Sequence, residues 1–160
     1  MHEPVKLAVV GAGLIGQRHI AAIAQAASVE LVGVVEPNGV SGISVPCFVS
    51  LTELFDAASV DGVILSTPTP LHVSGAMDCV KRGVPVLIEK PLATSSSEAA
   101  VLTKTAQAAG VPILVGHHRR HNPLIQQAAA MIKNGAIGDV RAAQATCWFY
   151  KPDDYFDVAP

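Results

Sequence analysis

The sequence predicts an α/β fold built on a doubly wound parallel sheet, and three observations carry that prediction. Short apolar runs alternate with helical, glycine-stopped segments along most of the 160 residues. The first run, Val5–Val10, is apolar almost throughout, as a parallel strand covered on both faces should be. It leads straight into Gly11-Ala12-Gly13-Leu14-Ile15-Gly16, a G-x-G-x-x-G turn that opens a helix. Right-handed crossovers between successive strands then give the order 3-2-1-4-5-6 of a Rossmann-type sheet.

The elements follow in order. The first helix spans about Leu14 to Ala27, with Leu14, Ile15, Ile20, Ala24 and Ala27 on one face. Leu31–Val35 is the second strand and ends on Glu36. Pro37 to Pro46 has no helical period and is broken by two glycines, although a crossover helix is expected there. It reads either as a short loop or as a shortened stretch of the chain. Cys47–Ser50 is a brief third strand, and Ser50-Leu51-Thr52-Glu53 is a capping box for a helix to about Ala58. Asp61–Thr67 is the fourth strand, followed by a helix from Leu71 to Arg82 that Gly83 closes. Val84–Glu89 is the fifth strand. Ser95-Ser96-Ser97-Glu98 caps a helix to Ala109, and Val111–Gly116 is the sixth strand. Beyond the histidine- and arginine-rich His117–His121, Asn122-Pro123 starts a helix to about Lys133. Asp139–Tyr150 reads as a seventh, long strand, and no structure is expected over Lys151–Pro160.

Composition narrows the function classes. Half the residues are hydrophobic and the formal net charge is −2, so a layered core is affordable and no overall basic field points to nucleic acid. Cys47, Cys79 and Cys147 are odd in number and far apart. They read as buried free thiols in a reducing cytoplasm; neither a disulfide framework nor a metal site has this spacing. No basic–apolar–small leader opens the chain and no apolar run nears the ~20 residues of a membrane span. The expectation is a cytoplasmic protein with a small-molecule partner, no membrane and no nucleic acid.

Three loops fall at the carboxyl edge of the sheet, where ligands bind in open α/β folds. In the first, Gly11 permits a tight turn, Gly13 lets a pyrophosphate approach the backbone, and Gly16 lets the helix pack closely. The unpaired N–H groups of the helix start, at Leu14 and Ile15, favour the phosphate charge. Glu36, about twenty residues after Gly16, is placed to accept hydrogen bonds from an adenosine ribose and to repel a 2′-phosphate, which favours NAD over NADP. In the second loop, Ser66-Thr67-Pro68-Thr69-Pro70-Leu71-His72, the rigid Thr-Pro pairs present backbone and hydroxyl groups. Strand termination also accounts for the prolines, and an exposed helix-start histidine for His72. In the third, Glu89-Lys90-Pro91, a charged pair follows a buried strand, so Lys90 is the candidate donor to a substrate oxygen; a surface ion pair is the alternative. His118, Arg119 and Arg120 suit a carboxylate or a hydroxyl-rich ring, or else form a solvated loop.

These residues resemble the glucose–fructose oxidoreductase / inositol dehydrogenase (Gfo/Idh/MocA) family. The shared features are the glycine turn, Glu36-Pro37, Thr67-Pro68-x-x-x-His72, Glu89-Lys90-Pro91, Arg120-x-x-Pro123 after Gly116, and Ile137-Gly138 before a strand. The resemblance implies an NAD(P)-binding domain over residues 1–120 and the start of an α/β substrate or dimerisation domain over 121–160. It implies Lys90 as catalytic residue at the substrate oxygen with Glu89 nearby, and Ser66, Thr67, Pro68 and His72 along the ribose and nicotinamide side. A homo-oligomer is implied for the full-length protein. His121 stands where the family usually has an aromatic residue. The family's acid/base histidine lies beyond a glycine-rich segment, past Pro160, so that group is expected outside this chain.

The resulting expectation is an NAD-dependent oxidoreductase moving a hydride between nicotinamide and a CH–OH carbon of a cyclic polyol, sugar or related ring. A dinucleotide-binding module without catalysis is the alternative. A methyltransferase is a third reading, in which Glu89-Lys90-Pro91 has no role.

Overall fold

A computed structural model describes residues 3–153. It divides into two compact units, one ending at His117 and the other beginning at His118.

The first unit is a six-stranded parallel sheet: β1 (Val5–Val10), β2 (Val29–Val35), β3 (Cys47–Phe48), β4 (Gly62–Leu65), β5 (Val86–Ile88) and β6 (Ile113–Val115). The order is β3-β2-β1-β4-β5-β6, as the sequence predicts. The chain reverses its direction of winding at β1, which pairs with β2 on one side and β4 on the other; Val9 lies opposite both Val34 and Ile64.

Side chains alternate between the faces of the sheet. Ala8, Val10, Val63, Leu65, Val86 and Ile88 point to one face, where Leu54 of α2 (Leu51–Ala57), Ala76 and Cys79 of α3 (His72–Lys81) and Leu102 of α4 (Ser96–Ala109) close the main core. Leu54, Leu65 and Leu102 are fully buried, and each stabilises the fold by roughly 1.5–3 kcal/mol before entropy is counted. On the other face, Val9 and Ile64 pack with Ile23 of α1 (Leu14–Ala24).

The capping signals work as read. Ser50 Oγ accepts from the Glu53 N–H and Ser95 Oγ from the Glu98 N–H, each at 3.2 Å. The Glu98 carboxylate in turn accepts the Thr94 hydroxyl, and that bond holds its pKa below the usual value. Gly110 ends α4 in the left-handed region at φ 67°.

Several expectations change. The first helix stops at Ala24, because the chain tightens through Ala26 N–H···O=C Ile23 and frees Val29 to begin β2. Residues 37–46 form a loop without a helix; Gly39 and Gly42 turn it at positive φ, and Pro46 O accepts from Val34 N–H to start β3. The helix expected from Leu71 begins with a 3-10 turn, Thr69–Leu71, before α3. Of the three thiols, Cys79 alone is buried; Cys47 and Cys147 are exposed because the edge strand and the distal segment have no layer over them.

The second unit holds a 3-10 turn, His118–His121, and α5 (Pro123–Lys133), whose N-cap Asn122 Oδ1 accepts from Leu124 N–H. Asp139–Tyr150 is not a strand. A strand exists only as a ladder with a neighbour, and among the described residues this segment has none; Trp148 is 91% exposed. The part of the Lys151–Pro160 tail from residue 154 on lies outside the described residues.

Candidate cofactor and substrate site

The carboxyl edge of the sheet is drawn by one row of backbone hydrogen bonds. Glu36 N–H bonds to Phe48 O, Gly11 to Val35 O, Ser66 to Val10 O, Glu89 to Leu65 O and Gly116 to Ile88 O, all at 2.8–2.9 Å. Each donor is the first residue past its strand, or nearly so. The row therefore aligns the starts of the three loops singled out in the sequence with Glu36 and Gly116, at about 4.8 Å per strand.

The glycine turn is sterically forced. A Cβ on Gly16 would lie 1.9 Å from Gly11 O, and one on Gly11, at φ 87°, would lie 2.9 Å from the Ser66 and Thr67 backbone. Gly13 is different: a Cβ there would meet nothing within 4 Å. It is the N-cap of α1, with no side-chain cap and no acidic residue in the first turn. Leu14, 74% exposed, and Ile15 form the outer surface of that turn.

Glu36 reaches across the turn. Its Oε2 accepts from Ala12 N–H at 2.9 Å and its Oε1 from Asn38 N–H at 3.4 Å. Beside it lies a cleft of about 410 Å³ whose walls include Gly11, Glu36, Pro37, Leu51, Thr67 and Leu71. Thr67 lines this cleft, and its hydroxyl and that of the neighbouring Ser66 are buried without a hydrogen-bond partner. A buried hydroxyl without a partner costs about 1–3 kcal/mol, which a polar group of a bound molecule would offset. A second cleft of about 300 Å³, at the amino end of the sheet around Leu7 and Pro85, is almost wholly apolar and has no such groups.

His72 is not an exposed helix-start residue. It is 1% exposed, with Nδ1 2.8 Å from Pro91 O and Nε2 2.8 Å from Thr67 O. Its ring stands between the second loop and the third, with each nitrogen facing a backbone carbonyl and its N–H donating to one of them. Lys90 is exposed, and the Lys90–Pro91 peptide is cis. Glu89 turns inward: Oε1 accepts from His19 Nε2 at 3.0 Å, and Oε2 lies 3.2 Å from Lys90 N–H. His19 was not among the residues singled out in the sequence. Its spacing, three residues after Gly16 on a helix, was the available signal, because that spacing sets it on the face that packs against the sheet.

His118, Arg119 and Arg120 share the exposed 3-10 turn of the second unit. There the Arg119 guanidinium stacks on the Phe149 ring, 5.4 Å from its centroid, and Nη2 lies 4.0 Å from Cys147 Sγ.

These features fit a dinucleotide. The open approach at Gly13, the uncapped helix start, the two orphaned hydroxyls and an acceptor carboxylate over a cleft of ligand size are the parts such a molecule needs.

Comparison with known proteins agrees. Residues 5–117 match the model of the Gfo/Idh/MocA oxidoreductase family, NAD-binding Rossmann fold. The rhizopine catabolism protein MocA of Rhizobium meliloti is 31% identical over 152 residues, covering 92% of this chain and 48% of that protein. An inositol 2-dehydrogenase of Rhodococcus jostii is 29% identical over 148 residues, covering 87% and 40%. The WlbA dehydrogenase of Bordetella pertussis, solved with NADH and UDP-GlcNAcA, superposes with a TM-score of 0.87 at 26% identity, covering 99% of this chain and 48% of that one. The chain thus spans about half the length of the curated relatives it matches. With its glycine turn, its strand order and this match over most of its length, the chain belongs to the Gfo/Idh/MocA oxidoreductase family and carries that family's NAD-binding Rossmann fold.

Proposed function

We propose that this chain is the cofactor-binding part of an NAD-dependent oxidoreductase acting on a CH–OH carbon of a cyclic polyol, sugar or related ring. The observation that carries this reading is the row of hydrogen bonds at the sheet edge, which lines up Glu36, the glycine turn, Ser66 and Glu89-Lys90. A nicotinamide, when bound, supplies the hydride transfer. The chain's own residues bind and orient. Gly11, Gly13 and Gly16, with the N–H groups at Leu14 and Ile15, hold the pyrophosphate. Glu36 accepts from the adenosine ribose and disfavours a 2′-phosphate. Ser66, Thr67 and Pro68 border the nicotinamide side. His72 acts there by fixing the loop carbonyls.

Lys90 donates a hydrogen bond from Nζ to the substrate oxygen as that oxygen changes between hydroxyl and carbonyl. Residues 1–120 form the cofactor domain and 121–160 begin the substrate or dimerisation domain; His118, Arg119 and Arg120, just before that boundary, are candidate donors to a carboxylate or a hydroxyl-rich ring. The sugar and inositol dehydrogenases among the relatives support the substrate class. The three free thiols fit a reducing compartment, so we place the protein in the cytoplasm.

The test is NAD reduction by the full-length protein with a panel of inositols and sugars. Turnover with at least one ring polyol is expected, and Lys90→Ala lowers kcat by about 10²-fold or more. No turnover with any ring polyol or sugar, or a fully active Lys90→Ala, contradicts the proposal.

A further inference from the structure

The Glu89 carboxylate joins three segments that are remote in sequence. Its Oε1 receives the His19 Nε2–H from α1 at 3.0 Å, and its Oε2 receives the Lys90 N–H at 3.2 Å. The third segment is the turn just past β6: a Cβ on Gly116 would lie 2.9 Å from Oε1, 3.0 Å from Cδ and 3.1 Å from Oε2. Gly116 has an ordinary φ and leaves its side-chain space to this carboxylate. The side chains are only 25% exposed at His19 and 16% at Glu89, so the bond between them is largely shielded from water.

Both oxygens of Glu89 are thus spent inside the protein, on a helix and on the backbone of the lysine. His19 lies on α1, whose first turn is the phosphate cradle, and Lys90 follows β5, two strands along the same edge from β1. We propose that His19 is a positioning residue: through Glu89 it fixes the Lys90 backbone relative to the glycine turn, and so sets the nicotinamide half of the site without touching the adenosine half. This rests on the dinucleotide reading above. Without the His19 bond, Oε1 is an under-satisfied carboxylate oxygen that swings toward water, and the Lys90 N–H loses its acceptor.

The test compares NADH with ADP-ribose, which shares the adenosine and pyrophosphate but lacks nicotinamide. Binding of both to the 160-residue chain is measured by fluorescence and by calorimetry. His19→Ala is expected to weaken NADH by about 3- to 10-fold and to leave ADP-ribose within about 2-fold. His19→Gln, whose side-chain amide also donates, restores most of the loss. Gly116→Ala displaces the carboxylate from the opposite side, so it reproduces the NADH-selective loss with His19 intact. Combined with His19→Ala it adds little, because both act through one carboxylate. Gly116→Ala and His19→Gln keep the idea testable if His19→Ala does not fold. Equal weakening of both ligands, no weakening of either, or full additivity of the two substitutions overturns the proposal. Failure of the unmodified chain to bind NADH overturns the cofactor reading instead.

Discussion

Glu36 Oε2 accepts the Ala12 N–H at 2.9 Å, so a carboxylate from the end of β2 lies across the glycine turn at the end of β1. The two residues are 24 apart in sequence and adjacent at the point where the strand order reverses. The bond places a fixed negative charge where a ribose must lie if the pyrophosphate sits on α1.

Replacing Glu36 by Gln keeps an acceptor oxygen and removes the charge. NADH binding is expected to weaken by roughly tenfold, since a hydrogen bond to a charged acceptor contributes about 1.5–3 kcal/mol and a neutral one about half that. NADPH binding is expected to strengthen, because the 2′-phosphate no longer meets an anion. Fluorescence titration of both nucleotides against both proteins checks the reversal.

The glycines separate folding from binding. Gly16→Ala sets a Cβ 1.9 Å from a backbone oxygen, so it destabilises the fold by about 2 kcal/mol or more, read as a lower urea midpoint. Gly13→Ala meets open space and leaves the midpoint nearly unchanged, yet costs NADH affinity because the methyl occupies the approach to the helix start. Equal effects of the two on stability contradict this division.

The turn and the strand order were legible because both depend on local signals: a glycine at a forced close contact, an apolar run, a capping box at Ser50 or Ser95. Glu36 was legible because its distance from the turn is set by one βαβ unit. The His19–Glu89 contact spans 70 residues and leaves no local trace beyond helical spacing. His72 shows the same limit. Its place at a helix start suggests exposure, and only the packing of two loops around it makes it a buried tie. Asp139–Tyr150 has strand-like composition, but pairing belongs to two segments, and one segment alone does not decide it.

His72→Ala removes both ring contacts and leaves the Thr67 and Pro91 carbonyls without them. A loss of about 2–4 kcal/mol in unfolding free energy is expected, read in urea, together with weaker NADH binding as the two loops separate. A variant as stable as the parent refutes the tie.

Cys79 is fully buried, and burial first, then the neighbouring Asp78 charge, pushes its thiol up to about 12 from 9.0. The folded state therefore holds a proton that the unfolded chain releases near 9.0. This residue's contribution to stability is complete below that pH and is lost as pH rises toward about 12. Alkylation under native conditions at neutral pH is expected at the exposed Cys47 and Cys147 and absent at Cys79 until denaturant is added, with mass spectrometry locating the labels.

The edge formed by Glu36, the glycine turn and the Ser66 loop is the proposed NAD site. Titration of the 160-residue chain with NADH and with NADPH tests it most directly. Saturable NADH binding that ADP-ribose displaces is expected, with NADPH weaker by about tenfold or more. No saturable binding, or tighter binding of NADPH, contradicts it.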